Sequence, residues 1–137
     1  MATDQATSPT AEEASRVADF RVALRRFQRR TEVVARDCGI TPAWYLLLLQ
    51  IKGAPDLTEQ TTVTALADRL QLAQSSVTEL VSRAQQAGLL QRTPSSADAR
   101  VVHLRLSPQG EMIFARAFRS LASEREALRE AIAHLDD

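Results

Sequence analysis

Ser75, His103 and Asp98 supply the residue types of a nucleophile, a base and an orienting acid. A hydrolytic triad needs its serine on a sharp strand-to-helix turn with the histidine beside it. Neither condition is met: Ser75 falls in a helical pattern, and His103 belongs to the alternating strand of a surface hairpin. No catalytic residue is therefore assigned. One cysteine, Cys38, and two histidines, His103 and His134, exclude an intramolecular disulfide and a Cys/His-rich zinc site. No metal or cofactor is expected. Cys38 could act as a thiol redox sensor, but the neighbouring Asp37 does not favour the thiolate such chemistry requires, and a passive, partly buried thiol is the plainer reading.

A different chemistry is spelled by Gln74, Ser75, Ser76, Thr78, Ser82 and Arg83, followed by Arg92 and Arg100. Amide and hydroxyl side chains can hydrogen-bond base edges or phosphates, whereas a merely solvated helix favours Glu and Lys at such positions. Charge along the chain supports a local anion-facing surface. The totals cancel, 17 basic against 17 acidic, yet Arg16, Arg21, Arg25, Arg26, Arg29, Arg30 and Arg36 crowd residues 16–36. The stretch 124–137 reverses sign through Glu124, Glu126, Glu130, Asp136 and Asp137. One end can neutralise the other while the middle stays open to an anion. The Arg21, Arg25, Arg29 stripe itself reads as a solvated face paired with those acids.

These side chains need a scaffold, and 137 residues, 45% of them hydrophobic, suffice for a single domain. Residues 1–10 lack periodicity and are expected to form a mobile tail. From 11 to 36, Val17, Phe20, Leu24, Phe27 and Val34 recur at helical spacing, and Thr41-Pro42 restarts a helix whose run from Trp44 to Ile51 is apolar nearly all round. Thr62 caps a short helix over 63–70. A second follows over 74–87, with Ala73 at its N-cap and Gly88 after its end. Ala67 allows close approach of the two helices, while Val77 and Leu80 face Leu66, Leu70 and Leu72. Leu89 to Arg92 and Arg100 to Leu106 read as the strands of a β-hairpin around a 93–99 loop. One long helix is expected over 108–135, its apolar spacing broken at Arg125. The fold class is mainly α (α+β): a winged helix-turn-helix over 62–106, within a single 11–137 domain, flanked by long helices 11–36 and 108–135.

From about residue 15 to residue 121 the chain resembles the MarR-type transcription regulators. The resemblance is carried by Thr41-Pro42-Ala43-Trp44-Tyr45, Leu66-Ala67-Asp68-Arg69-Leu70, Ser76 to Arg83, Gly88-Leu89-Leu90, Asp98-x-Arg100 and Leu104-x-Leu106-Ser107-x-x-Gly110. It implies a cytoplasmic homodimer whose first and last helices form the dimer base. Its two winged lobes would grip double-stranded DNA at a pseudo-palindromic operator, as a repressor modulated by a small aromatic or amphipathic effector. Phe20, Phe27, Trp44 and Tyr45 are the residues that would line an effector pocket, with a plain hydrophobic core as their alternative role. Gln74, Ser75, Ser76, Thr78, Ser82 and Arg83 would face the major groove, with Arg92 near phosphate and Arg100 in the minor groove. Arg100 could also be held by Asp98. The chain departs from the family pattern at Ala99, where Arg is common, and at Ser107, where Thr is. A winged helix used only for protein interaction is the second function class. It would keep Ala67, Val77 and Leu80 but would not need Arg83 and Arg100. No membrane partner is expected, because no window approaches the length of apolar chain that a span requires.

Overall fold

The computed structural model describes residues 7–136; the expected 1–10 tail lies for residues 1–6 outside them. Thr10 is not tail. It is the N-cap of α1 (Ala11–Asp37), in a reciprocal capping box with Glu13. The Thr10 N–H bond holds the Glu13 carboxyl below the ordinary carboxylate range. Thr41 caps α2 (Pro42–Lys52) by accepting from the Trp44 N–H at 3.1 Å, with proline in the first turn, where its missing N–H costs little. Tyr45, Leu47, Leu48 and Ile51 are buried along α2, which makes it the central helix of the core.

Thr62 caps α3 (Val63–Leu70). The helix ends at Gln71 in the left-handed region, φ 57, where its side-chain amide donates to the Asp68 carbonyl. α4 (Gln74–Gln86) follows and turns Val77, Val81 and Ala84 into the core beside Leu66. Leu72 departs from expectation. It is 48% exposed, because the tight turn between the helices carries it outward while its N–H caps α3 through the Ala67 carbonyl.

The hairpin pairs β1 (Leu90–Pro94) antiparallel with β2 (Val102–Leu106), Leu90 opposite Leu106. The loop is thus 95–101, later than the expected 93–99. Leu104 and Leu106 point into the core, whereas Val102 at the outer end is exposed. Thr61 adds an antiparallel bridge to β2, exchanging both backbone bonds with Leu104, so the motif begins before residue 62.

The expected 108–135 helix is two helices, α5 (Pro108–Ser120) and α6 (Ala122–His134). Leu121, φ −100 and ψ 9, leaves helical geometry with its side chain 1% exposed. Arg125 explains why the break is tolerated. Its Nη1 donates to the Phe118 carbonyl at 2.7 Å and its guanidinium lies 3.8 Å from the Phe118 ring centroid, so a carbonyl that otherwise accepts only the Leu121 N–H at 3.2 Å gains a charged donor. The interruption of the apolar spacing at Arg125 marks the kink. α6 packs along α1, where Arg30 pairs with Glu124 at 3.2 Å, one point at which the basic and acidic ends meet.

Candidate nucleic-acid interface

Two surfaces flank one end of the molecule, the start of α4 and the tip of the hairpin. Gln74, Ser75, Ser76 and Thr78 are exposed, Ser82 is half-buried, and the first turn of α4 holds no acidic side chain. Ala73 is the N-cap as expected and makes no side-chain cap bond. Thr78 returns its hydroxyl to the Gln74 carbonyl. The Gln74 amide is tied to α3: its Nε2 donates to Thr64 Oγ1 at 2.6 Å. Further along, Arg83 is exposed and pairs with Glu79 one turn earlier at 2.7 Å, an intrahelical bridge worth little to stability and easily exchanged for a phosphate.

The hairpin contributes Arg92 and Arg100. Arg92, on β1, donates from Nε to Gln85 Oε1 at 2.6 Å, linking the wing to the end of α4. Arg100 stands in the 95–101 loop with its side chain 91% exposed. Asp98 receives the Arg100 N–H at 3.0 Å and its Nε at 3.3 Å, so the expected pairing is present alongside nearly full exposure. Those bonds, the backbone one foremost, hold the Asp98 carboxyl below the usual range. Ser95 completes the loop by accepting from the Ala97 N–H and bonding Val101 through the backbone. The loop is thus organised by its own side chains, and the guanidinium projects from it. Thr64 and Gln85, which fix Gln74 and Arg92, were not singled out in the sequence. Their signal is weak: the starts of two crossing helices must be near one another, and Thr64 precedes Gln74 by one helix and one turn.

The four residues expected around an effector are spread out. Tyr45 is buried in the core, stacked on Phe114 at 5.7 Å, and burial raises its hydroxyl pKa. Phe27 lines a cleft of 500 Å³ between α1 and α2 with Leu24, Thr31 and Leu46. Trp44 packs half-buried against the core, and Phe20 is half-buried on α1. Cys38 is a free, half-buried thiol at the end of α1. Among the described residues, no group of His, Cys, Asp and Glu could hold a metal ion.

Beneath the interface the backbone is locked. Gly110 lies so close to the start of the hairpin that a Cβ would stand 2.1 Å from the Leu89 carbonyl oxygen. That carbonyl accepts from the Ser107 N–H at 2.9 Å, and the Ser107 hydroxyl donates to the Gly88 carbonyl while accepting from the Gly110 N–H.

The sequence pattern of the MarR family matches residues 39–101, which covers α2, both helices of the motif, β1 and the wing loop, and ends just before β2. Over those residues the chain is similar to the MarR family. It is 28% identical to the uncharacterized HTH-type transcriptional regulator YsmB of Bacillus subtilis (strain 168) over 88% of this chain and 81% of that one. It is also 33% identical to the HTH-type transcriptional repressor MdtR of the same organism, over 56% of this chain and 46% of the repressor. Among solved structures, a mutant MarR from E. coli complexed with operator DNA superposes with a TM-score of 0.68 at 20% identity, covering 85% of this chain and 84% of that one. At that identity the likeness is one of fold, and it includes the winged helix-turn-helix. Among the described residues, no helix is long and apolar enough to cross a membrane.

Proposed function

We propose that the chain is a dimeric, sequence-specific DNA-binding repressor acting in the cytoplasm, with operator affinity modulated by a small molecule. The observation that carries this reading is the acid-free, exposed start of α4 set beside a wing whose Arg100 is 91% exposed. Gln74, Ser75, Ser76 and Thr78 then meet base edges in the major groove, Ser82 and Arg83 follow along the helix, and Arg92 meets phosphate. Arg100 enters the minor groove, where narrow A·T-rich steps attract positive charge. A neighbouring fold solved on operator DNA and a relative named as a repressor support the assignment.

Exposed apolar side chains on the outer helices support the second copy: Val17 and Val22 on α1, Met112 on α5 and Ile132 on α6. A two-fold pair joined through these helices places two wings on a pseudo-palindromic operator, with half-site centres roughly 34–36 Å apart. The 500 Å³ cleft at Phe27, mostly apolar and within the size range of small-molecule sites, supports a small aromatic or amphipathic effector.

Filter binding to sheared DNA at two salt concentrations tests the reading. A steep loss of affinity with salt is the expected result, because each neutralised phosphate releases a counterion. Salt-insensitive or absent binding by a folded dimer would leave the winged helix as a protein-interaction module.

A further inference from the structure

Gln74 has the free rotation of a long amide side chain, yet its Nε2 donates to Thr64 Oγ1 at 2.6 Å, a bond between the first turn of α4 and the first turn of α3. Its own backbone carbonyl is engaged by the Thr78 hydroxyl, so both ends of the residue are held. Thr64 also lines the cleft between α3 and the wing, together with Thr62, Val63, Arg100, Val101 and Val102. Thr64 therefore stands at the junction of the two elements proposed to face DNA.

We propose that Thr64, a residue of α3, is a positioning residue for sequence readout: its hydroxyl anchors the Gln74 amide in a fixed orientation before DNA arrives. This rests on the reading of Gln74 as a base contact. One Nε2 hydrogen is spent on Thr64, which leaves the second hydrogen and the Oε1 acceptor for a ligand. Those two groups complement the N7 acceptor and N6 donor that adenine presents in the major groove. A free glutamine loses side-chain freedom when it reads a base; one already anchored has lost it on folding, so more of the contact energy appears as discrimination. Thr64 contributes to specificity without touching a base.

The test uses the full chain and a duplex selected by the parent protein from a randomised library, against a scrambled duplex of the same length. Thr64→Val removes the hydroxyl while keeping shape. It should lower the ratio of specific to non-specific affinity by about 2- to 12-fold per half-site, the loss expected for freeing one long side chain. Melting temperature and salt slope should be unchanged. Thr64→Ser should keep the parent ratio. In the Gln74→Ala background, Thr64→Val should cost nothing further. Full discrimination by Thr64→Val, an additional loss in the Gln74→Ala background, or equal weakening on both duplexes would each overturn the proposal. Failure of the DNA-binding reading would look different, since the parent would then select no duplex at all and both statements would fall together.

Discussion

The joint between hairpin and α5 and the surface formed by α4 and the wing loop belong to the same motif and are built in contrasting ways. At the joint, backbone meets backbone: Gly110 against the Leu89 carbonyl, Ser107 bonded to Gly88, and no room for a methyl group. At the exposed surface, each candidate contact is an exposed or half-buried side chain, four of them held by single partners: Gln74 by Thr64, Arg83 by Glu79, Arg92 by Gln85 and Arg100 by Asp98. The contrast sets the fixed part of the fold where side chains are smallest, and the proposed recognition surface where bonds to neighbours can be exchanged for bonds to a nucleic acid at little cost.

Breaking the joint should produce the largest effect. Gly110→Ala places a methyl group inside van der Waals distance of backbone that cannot rotate away, and should destabilise the fold by about 3 kcal/mol or more. Urea unfolding checks this; a variant as stable as the parent would mean that α5 can slide from the hairpin. On the exposed surface the corresponding substitution should leave the fold intact. Gln74→Ala should relax sequence preference by about 1–3 kcal/mol per half-site with little change in salt slope, as measured on selected and scrambled duplexes. Ala73→Ser supplies the missing cap of α4 and should add about 0.5–2 kcal/mol of stability, read as a higher melting temperature.

The smallest effect concerns acid. The Asp98 carboxyl is lowered in the folded chain by its bonds from Arg100, so its support of the wing loop is complete above the ordinary carboxylate pKa of about 3.9. That support is lost as pH falls through the lowered folded value. Amide exchange in the 95–101 loop should therefore be insensitive to pH-linked loosening near neutrality. Asp98→Asn should differ from the parent above that window and resemble it below.

Much of this architecture is legible in the sequence because periodicity and caps are local. Thr41-Pro42, Thr62 and Gly88 mark helix ends through bonds made within one turn, and the alternation of Leu104 and Leu106 marks the inner face of β2. The Ser107-x-x-Gly110 spacing is visible as a pattern, but its cause is not, since it depends on the approach of Leu89 from another element. Leu121 and Leu72 illustrate the same limit. Each has the composition of a helix or core residue, and its conformation is decided by partners that only the fold supplies, Arg125 stacked on Phe118 for one and the tight interhelical turn for the other. In the candidate interface the residue types proposed to face DNA stand out as a polar run. The residues that hold them, Thr64 and Gln85, do not, because their partners are distant in the chain.

The central claim is that the exposed Arg100 guanidinium meets DNA, and the salt dependence of binding tests it most directly. Affinity for the selected duplex, measured over a series of salt concentrations for the parent and for Arg100→Ala, should give two straight lines on logarithmic axes. The variant should be weaker on specific and scrambled duplex alike, with a slope smaller by about one unit per bound arginine and hence about two in the proposed dimer. A folded Arg100→Ala dimer that bound both duplexes as tightly as the parent, with the same slope, would contradict the claim.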